Sequence, residues 1–537
     1  MSAHKDTFTR DHLPPAAQWP AMDWTEPALG YGAAGATLNA AAELLDKRVA
    51  AGDGRRTALR FPDGKWSYEQ LLEISNRIAN VLVNDCGLVP GNRVLLRGPN
   101  NPGLAACWLA VLKAGGVCVT TMPLLRAREL AYTVSKAGIA LALCDHRFTE
   151  DLEAARKQAP TLRRMVTFGD DHELDALIRR TSSDFANVPT AADDPAIIAF
   201  TSGTTGQAKG TVHFHRDLIA ICDLFPVSCL KAGPDDLFCG SPPLAFTFGL
   251  GGLLLFPMRI GASTLLLEQA SPPHLIKGIQ DHRATVCFTA PTAYRAMLPL
   301  LPHHNITSLK KCVSAGEHLP RPTFDAWKEA TGISIIDGIG STELLHIFIS
   351  ASDDEIVPGS TGKAMPGYRA RIVDEAGNEV PRGTIGRLSV QGPTGCRYLA
   401  NEERQRAYVQ DGWNLPGDSF SQDERGYFWY QARTDDLIVS SGYNISAAEI
   451  EGVLLEHAAV AECGVVGVPD AERGQLVKAF VVLRAGNAVG DAMVKELQEH
   501  VKAVIAPYKY PRAVQFLDKL PRTETGKLQR FKLRELS

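Results

Sequence analysis

Hydrophobic and polar positions follow three different patterns along this chain. Over the first two-thirds, short unbroken apolar runs recur between segments of helical periodicity. "NRVLLRG" reads as a buried strand, and "NPGLAACWLAVLKAGG" behind it as a helix ending at Gly115. "ALALCD", "AIIAF", "STLLLE", "ATVCFT" and "ISIIDG" are strand candidates of the same kind. Strands apolar on both sides and separated by helices predict parallel sheets covered on both faces. Around residues 362 to 398 the runs shorten and alternate, as in "ARIVDEAGNEVPRGTIGRLSVQG", with Gly and Pro between them. That predicts antiparallel hairpins or a small barrel.

The pattern changes once more after "ARTDD". Ser446 and Glu449 fit a capping box ahead of Ile450, Val453 and Leu454 at helical spacing. "AECGVVGVPD", "LVKAFVVLR" and "AVQFL" read as strands, with the helical "DAMVKELQEHVKAVI" between the last two. These elements suffice for a compact α+β module of about 100 residues. The expectation is an α/β protein with a large N-terminal domain over 1–434, built from two α/β sheet subdomains and a small barrel-like part. A small mobile α+β domain over 435–537 completes it.

Composition narrows the function classes. With 537 residues, 45% hydrophobic and 22% charged, the chain has the balance of a globular protein with a large core. A formal charge of −4 provides no basic field for nucleic acid or an anionic membrane surface. The start, "MSAHKDTFTRDHLPP", has no apolar signal core, and "FGLGGLLLFPM" is too short to span a bilayer. Eleven cysteines without a Cys-x-x-Cys pair indicate neither a zinc site nor a disulfide framework. A cytoplasmic location with reduced thiols is therefore expected, as a monomer or homodimer.

The candidate chemistry starts at "TSGTTGQAKG", residues 201–210. Hydroxyls, glycines and one ammonium suit the grip of a polyphosphate. The P-loop template fails, because it needs glycine directly before the lysine and Ala208 stands there. Four more stretches stand out: "DGIGSTELLHIF" from 337, "GWNLPGDSF" from 412, "YQARTDDLIVSSGYNIS" from 430 and "LPRTETGKLQRFKLR" from 520. Each alone has a plain explanation as a turn, a helix-start acid or a polar linker. His213 and His215 alone are too few ligands for a metal, and none is expected there. The segment that holds them reads as the start of the helix after the phosphate loop.

Taken together and in this order, the motifs resemble the adenylate-forming superfamily of acyl- and aryl-CoA synthetases, peptide adenylation domains and beetle luciferases. The resemblance runs from "WSYEQL" near residue 66 to Lys527. It implies ATP, Mg²⁺ and CoA as cofactors. Thr201, Ser202, Gly203, Thr204, Thr205, Gly206 and Lys209 would wrap the β- and γ-phosphates. Thr342 would bond the α-phosphate and Glu343 would hold Mg²⁺. Gly316 and Glu317 match the loop beside adenine, with Asp337, Gly338, Ile339 and Gly340 also on the nucleotide. Ile339 stands where many members carry an aromatic ring. Asp418 would accept both ribose hydroxyls, Arg433 would reach the ribose, and Lys527 matches the lysine of the adenylating step. Asp435 matches the hinge, and Gly442 would then pass the pantetheine arm of CoA.

"PLAFTFGLGG" and "GSTELLHIF" resemble the benzoate- and 2-aminobenzoate-CoA ligase branch. That implies a flat aryl slot walled by Ala245, Phe246, Thr247, Phe248 and Gly249, with His346 and Ile347 opposite. "HLPPAAQWP" near the N-terminus and "PPLAFTFGLGG" lean the resemblance toward 2-aminobenzoate, whose amine needs an acceptor that Thr247 or a neutral His346 could supply. Benzoate or another acid, transfer to a carrier protein, luciferase-type oxygenation and a non-catalytic nucleotide binder are the other readings. The last requires loss of Glu343, Asp418 or Lys527, and all three are present.

Overall fold

The computed structural model of the chain describes residues 2–33, 35–201, 208–433, 436, 438–440, 443–470, 473–523 and 526–537. Among them the strands form four sheets. The first runs in the order Arg164–Phe168, Leu141–Asp145, Arg93–Arg97, Val117–Thr121, Pro195–Phe200, Gly210–Phe214. Its pairings are parallel until the last, where Gly210–Phe214 turns back antiparallel to Pro195–Phe200. The phosphate-loop sequence is thus the connection of a hairpin, an inversion that the apolar runs do not reveal. Arg93–Arg97 and Leu141–Asp145 are buried at every position, as strands covered on both faces must be. The helix Pro102–Lys113 has Asn101 as its N-cap, whose side chain accepts from the Leu104 N–H at 2.9 Å. Lys113 on that helix is fully buried, and both Asp46 carboxylate oxygens accept from it at 2.6 Å.

The second sheet is larger. Its central strands Ile335–Gly340, Lys311–Ser314, Val286–Thr289, Leu237–Gly240, Ser263–Leu265 and Thr57–Phe61 are parallel neighbours. Ile347–Ser350 and Lys363–Ala364 close one edge antiparallel, and Gly64–Ser67 the other. The third sheet is antiparallel, with Arg369–Val373 and Gly386–Gln391 as the expected hairpin. Asp418–Gln422 and Phe428–Arg433 extend it. The fourth holds Ile438–Ser440, Tyr443–Ile445, Val460–Asp470, Gly474–Leu483 and Ala513–Phe516. This is the expected fold class, with the change of sheet falling between Arg433 and Ile438.

Two local expectations are modified. The helix Ala447–Glu456 is capped by Ser446, which accepts from the Glu449 N–H at 3.2 Å. The Glu449 carboxylate does not return to the cap; Lys509 donates to both its oxygens at 2.7 Å. A tertiary ion pair has displaced the second half of the capping box. His213 and Phe214 end a strand rather than opening the helix, which begins at His215. The eleven cysteines are free thiols, and among the described residues no helix is long and apolar enough to cross a membrane.

Candidate active site

Three of the four sheets converge on residues 341–346. The strand Ile335–Gly340 leaves the second sheet and turns through "STELL" into Ile347–Ser350. A different element grips nearly every residue of that turn. Ser341 Oγ accepts from the Leu344 N–H at 3.1 Å and lies 3.3 Å from the Tyr408 hydroxyl. His213 Nε2 donates to the Thr342 carbonyl at 2.7 Å. The Tyr398 hydroxyl donates to Glu343 Oε1 at 2.5 Å, and Thr394 Oγ1 to the Leu344 carbonyl at 2.7 Å. Leu345 sits at φ +72°, a left-handed conformation that costs a branched residue energy and persists only where its surroundings impose it. The turn is prepared rather than pliable.

The other charged candidates face this turn. Asp418, 7% exposed, opens a strand of the third sheet directly opposite Arg433. Arg433 Nη1 donates to Asp418 Oδ2 at 3.0 Å and to the Pro416 carbonyl at 3.1 Å. Burial raises the Asp418 carboxyl pKa, and Arg433 opposes that shift. Lys209 closes the phosphate loop: Thr201 N–H donates to its carbonyl at 3.0 Å, and its ammonium lies 5.9 Å from the Tyr398 ring centroid. Burial lowers the Lys209 pKa, Arg404 adds to the effect, and Glu343 opposes it. Positions 202–207 lie outside the described residues, as do Asp435 and Gly442.

Lys527 comes from the far end of the chain. Its loop is closed by Thr523 N–H on the Lys527 carbonyl at 2.8 Å and by Lys527 N–H on Thr523 Oγ1 at 3.0 Å. The side chain stands exposed in the cleft, with Cε 3.8 Å from where a β-carbon on Gly316 would lie. The cleft walls lower its pKa by desolvation, with Arg433 adding to this and Glu317, Asp418 and Glu343 opposing. Arg522 on the same segment lies 3.8 Å from Glu317. The C-terminal segment thus stands over the Gly316–Glu317 loop and within electrostatic reach of Asp418 and Glu343. On the strand beneath, burial pushes the Asp337 carboxyl up to about 7, and its Oδ1 has no hydrogen-bond partner among the described residues. Gly338 packs under Ile347, and Gly340 lies against the His346 backbone too closely for a β-carbon. Ile339 is half-buried against the core.

The proposed acid pocket is a different environment. Thr247–Leu250, Gly251–Leu255 and Phe256–Ile260 run on as one helical stretch whose middle turn is a wide π-turn. His346 points at this stretch, 2% exposed, into a cage of four phenylalanine rings. Phe256 stands edge-on at 4.5 Å, Phe248 at 5.6 Å, Phe225 at 5.7 Å and Phe288 at 6.4 Å. Burial pulls its pKa down to about 3, so the imidazole is neutral at physiological pH. Neither ring nitrogen has a partner at good hydrogen-bond geometry among the described residues, and the Phe248 backbone, close enough to oppose the shift, is the nearest polar contact. Gly251 leaves room for the ring, since a β-carbon there would lie 2.8 Å from Nε2 and closer still to Cδ2. Phe248 shares the cage, and Ala245 and Phe246 are half-buried beside a buried Thr247. Gly249 lets the helix start close onto the Pro242 and Pro243 carbonyls. Ile347 turns the other way, onto Gly338 of the nucleotide strand.

Several contributors carry no local sequence signal. Tyr398 and His213 reach the turn from 55 and 129 positions away. Phe225, Phe256 and Phe288 read as ordinary core residues. Among the described residues no group of three or more His, Cys, Asp or Glu is placed to bind a metal.

Charged side chains from separate elements, Lys209, Asp418, Arg433 and Lys527, gathered around the Glu343 turn beside an aromatic cage form an arrangement suited to joining a nucleotide to a small acid. Residues 46–398 match the AMP-binding enzyme family and residues 449–527 the AMP-binding enzyme C-terminal domain. The chain belongs to this adenylate-forming family and is an acid–CoA ligase that uses ATP and CoA. It is 36% identical over 503 residues to the benzoate–CoA ligase of Thauera aromatica, covering 92% of this chain and 95% of that one. Among solved structures, the anthranilate CoA ligase AuaEII in complex with anthranoyl-AMP superposes with a TM-score of 0.89 at 34% identity, over 93% and 97% of the two chains. A benzoate CoA ligase from Burkholderia xenovorans LB400 gives 0.85 at 33% identity, over 92% and 99%.

Proposed function

We propose that this acid–CoA ligase activates an aromatic acid, 2-aminobenzoate, as its aryl-adenylate and passes the acyl group to CoA. The observation that carries the choice is His346, a neutral imidazole inside an aromatic cage with neither nitrogen in a well-formed hydrogen bond among the described residues. A buried polar group without a partner is costly unless a ligand completes it. One nitrogen of a neutral imidazole accepts and the other donates, so an ortho amine can supply the missing donor. The cage rings give a planar substrate its walls. Benzoate would fill the same walls and leave the imidazole unpaired.

The charged residues divide the remaining work. Asp418, held by the Arg433 guanidinium, accepts the ribose hydroxyls and fixes the nucleotide for in-line attack on the α-phosphorus. Thr342 and the phosphate loop hold the phosphates. Lys527 brings its ammonium to the phosphate that two anions must approach together, where the charge that develops is largest. Glu343 offers a carboxylate with only Oε1 taken by a protein hydrogen bond among the described residues, a hard oxygen donor of the kind Mg²⁺ takes alongside phosphates. Bound there with ATP, Mg²⁺ would supply further positive charge. After pyrophosphate leaves, rotation of residues 435–537 about Asp435 withdraws Lys527 and brings Gly442 to the site for the thiol.

A panel of aromatic and aliphatic acids with ATP and CoA, followed by AMP and pyrophosphate release, tests this reading. The expected result is the highest kcat/KM for 2-aminobenzoate, with benzoate lower by about the factor of one hydrogen bond, roughly 5- to 10-fold. Preference for an aliphatic acid would overturn the substrate assignment, and release of ADP instead of AMP would overturn the chemistry.

A further inference from the structure

Glu343 is held by a residue outside the motifs. Tyr398, 1% exposed, donates its hydroxyl to Glu343 Oε1 at 2.5 Å. A carboxylate oxygen accepts, so the phenol is the donor of this bond. Tyr398 has little freedom of its own. Its N–H donates to Gln405 Oε1 at 2.9 Å, and Tyr408 stands edge-on to its ring at 5.7 Å. Behind it, the fully buried Arg397 donates to Asp217 Oδ2 at 2.8 Å and lies over the Phe214 ring at 4.1 Å.

The segment that carries Tyr398 is also bound to the exit of the phosphate loop. Val212 N–H donates to the Arg397 carbonyl at 2.9 Å, Leu399 N–H to the Gly210 carbonyl at 2.8 Å, and Thr211 bridges Tyr398. The same strand carries His213, whose Nε2 holds the Thr342 carbonyl. One pair of strands therefore grips the backbone before Glu343, its carboxylate, and the end of the phosphate loop. A carboxylate with one oxygen pinned presents the other in a fixed direction.

We infer that Tyr398 is a positioning residue: its phenol fixes the Glu343 carboxylate toward the metal–nucleotide and couples it to the phosphate-loop strand. The inference rests on the proposed role of Glu343, and its test separates the two. Outer partners of metal-ligating carboxylates typically contribute about 10- to 100-fold in metal affinity. Tyr398→Phe keeps the ring and its contact with Tyr408, so its melting temperature should stay near that of the wild type. The Mg²⁺ concentration for half-maximal ATP–pyrophosphate exchange should rise about 10-fold, with the KM for the aryl acid unchanged. Mn²⁺ titrated by electron paramagnetic resonance, with a non-hydrolysable ATP analogue present, should show the same weakening without turnover. In a Glu343→Gln background the added Tyr398→Phe change should move the Mg²⁺ requirement by less than about twofold, because its target is gone. An unchanged Mg²⁺ requirement in Y398F, or effects that multiply in the double variant, would overturn the positioning role. If Glu343→Gln alone leaves the Mg²⁺ requirement and Mn²⁺ binding unchanged, the metal reading of Glu343 fails as well.

Discussion

The two ends of the cleft are built on opposite principles. At the nucleotide end, Glu343, Asp418, Arg433, Lys209 and Lys527 come from separate elements, and burial together with these neighbouring charges shifts the ionisation of Asp418, Lys209 and Lys527. Ser341, Thr342, Glu343 and Leu344 of the turn are each held by a residue from another element. At the acid end, one uncharged imidazole stands among four phenylalanines, with no well-formed hydrogen bond among the described residues and only the Phe248 backbone as a polar neighbour. In the proposed mechanism the first arrangement stabilises charge that develops on phosphorus, and its strength would come from several preorganised groups acting together. The second sorts neutral ring substituents, where a single hydrogen bond or a methyl-sized space decides. Catalytic power and substrate choice therefore depend on changes of very different size.

The sharpest break is expected at Lys527. Lys527→Ala removes the cation over the Gly316–Glu317 loop and should slow adenylation, read as pyrophosphate exchange, by about 100- to 1,000-fold. Thioester formation from supplied aryl-adenylate should remain near wild type. Equal loss of both half-reactions would remove the contrast between a step that needs the lysine and one that does not. Asp418→Asn comes next. It keeps the shape but loses a charged acceptor beside Arg433, and the KM for ATP should rise about 10- to 100-fold with the acid KM unchanged. A matching rise in the acid KM would mean that the two ends are not separable.

The contrast also explains what could be read from the chain. The 201–210 stretch, "GSTE", the "GD" pair at Asp418 and the lysine loop are contiguous stretches, so each is legible whole in the sequence. The parallel sheets show as apolar runs such as Leu141–Asp145, buried at every position. The reversal at Gly210–Phe214 does not, since strand direction leaves no trace in side-chain pattern. Tyr398, His213 and the φ of Leu345 were illegible for a related reason: each acquires its role only when distant segments meet. Glu449 shows the converse, where a correct local signal for a reciprocal cap yielded to a lysine 60 positions on.

At the acid end smaller effects are expected. Gly251→Ala would place a methyl against the His346 ring, an overpacking worth about 1–3 kcal/mol. It should raise the KM for aromatic acids roughly tenfold and leave that for ATP alone. An unchanged acid KM would separate the His346 cage from the substrate.

The finest test concerns His346 itself. Its replacement by Ala should lower the ratio of 2-aminobenzoate to benzoate turnover by about fivefold, the scale of one hydrogen bond. Because burial holds the imidazole pKa near 3, below the usual 6.5, the folded state binds fewer protons than the unfolded chain between those values. The stability tied to the neutral ring is fully present above about pH 6.5 and is lost as the pH falls toward 3. Across pH 6.5 to 8.5 the ring stays neutral, so the turnover ratio should be flat while both absolute rates follow the charged groups at the other end. A ratio that titrates near pH 6.5 would mean that the imidazole meets solvent when the acid binds, and the division between a charged end and a dry end would fail at the residue on which the substrate choice rests.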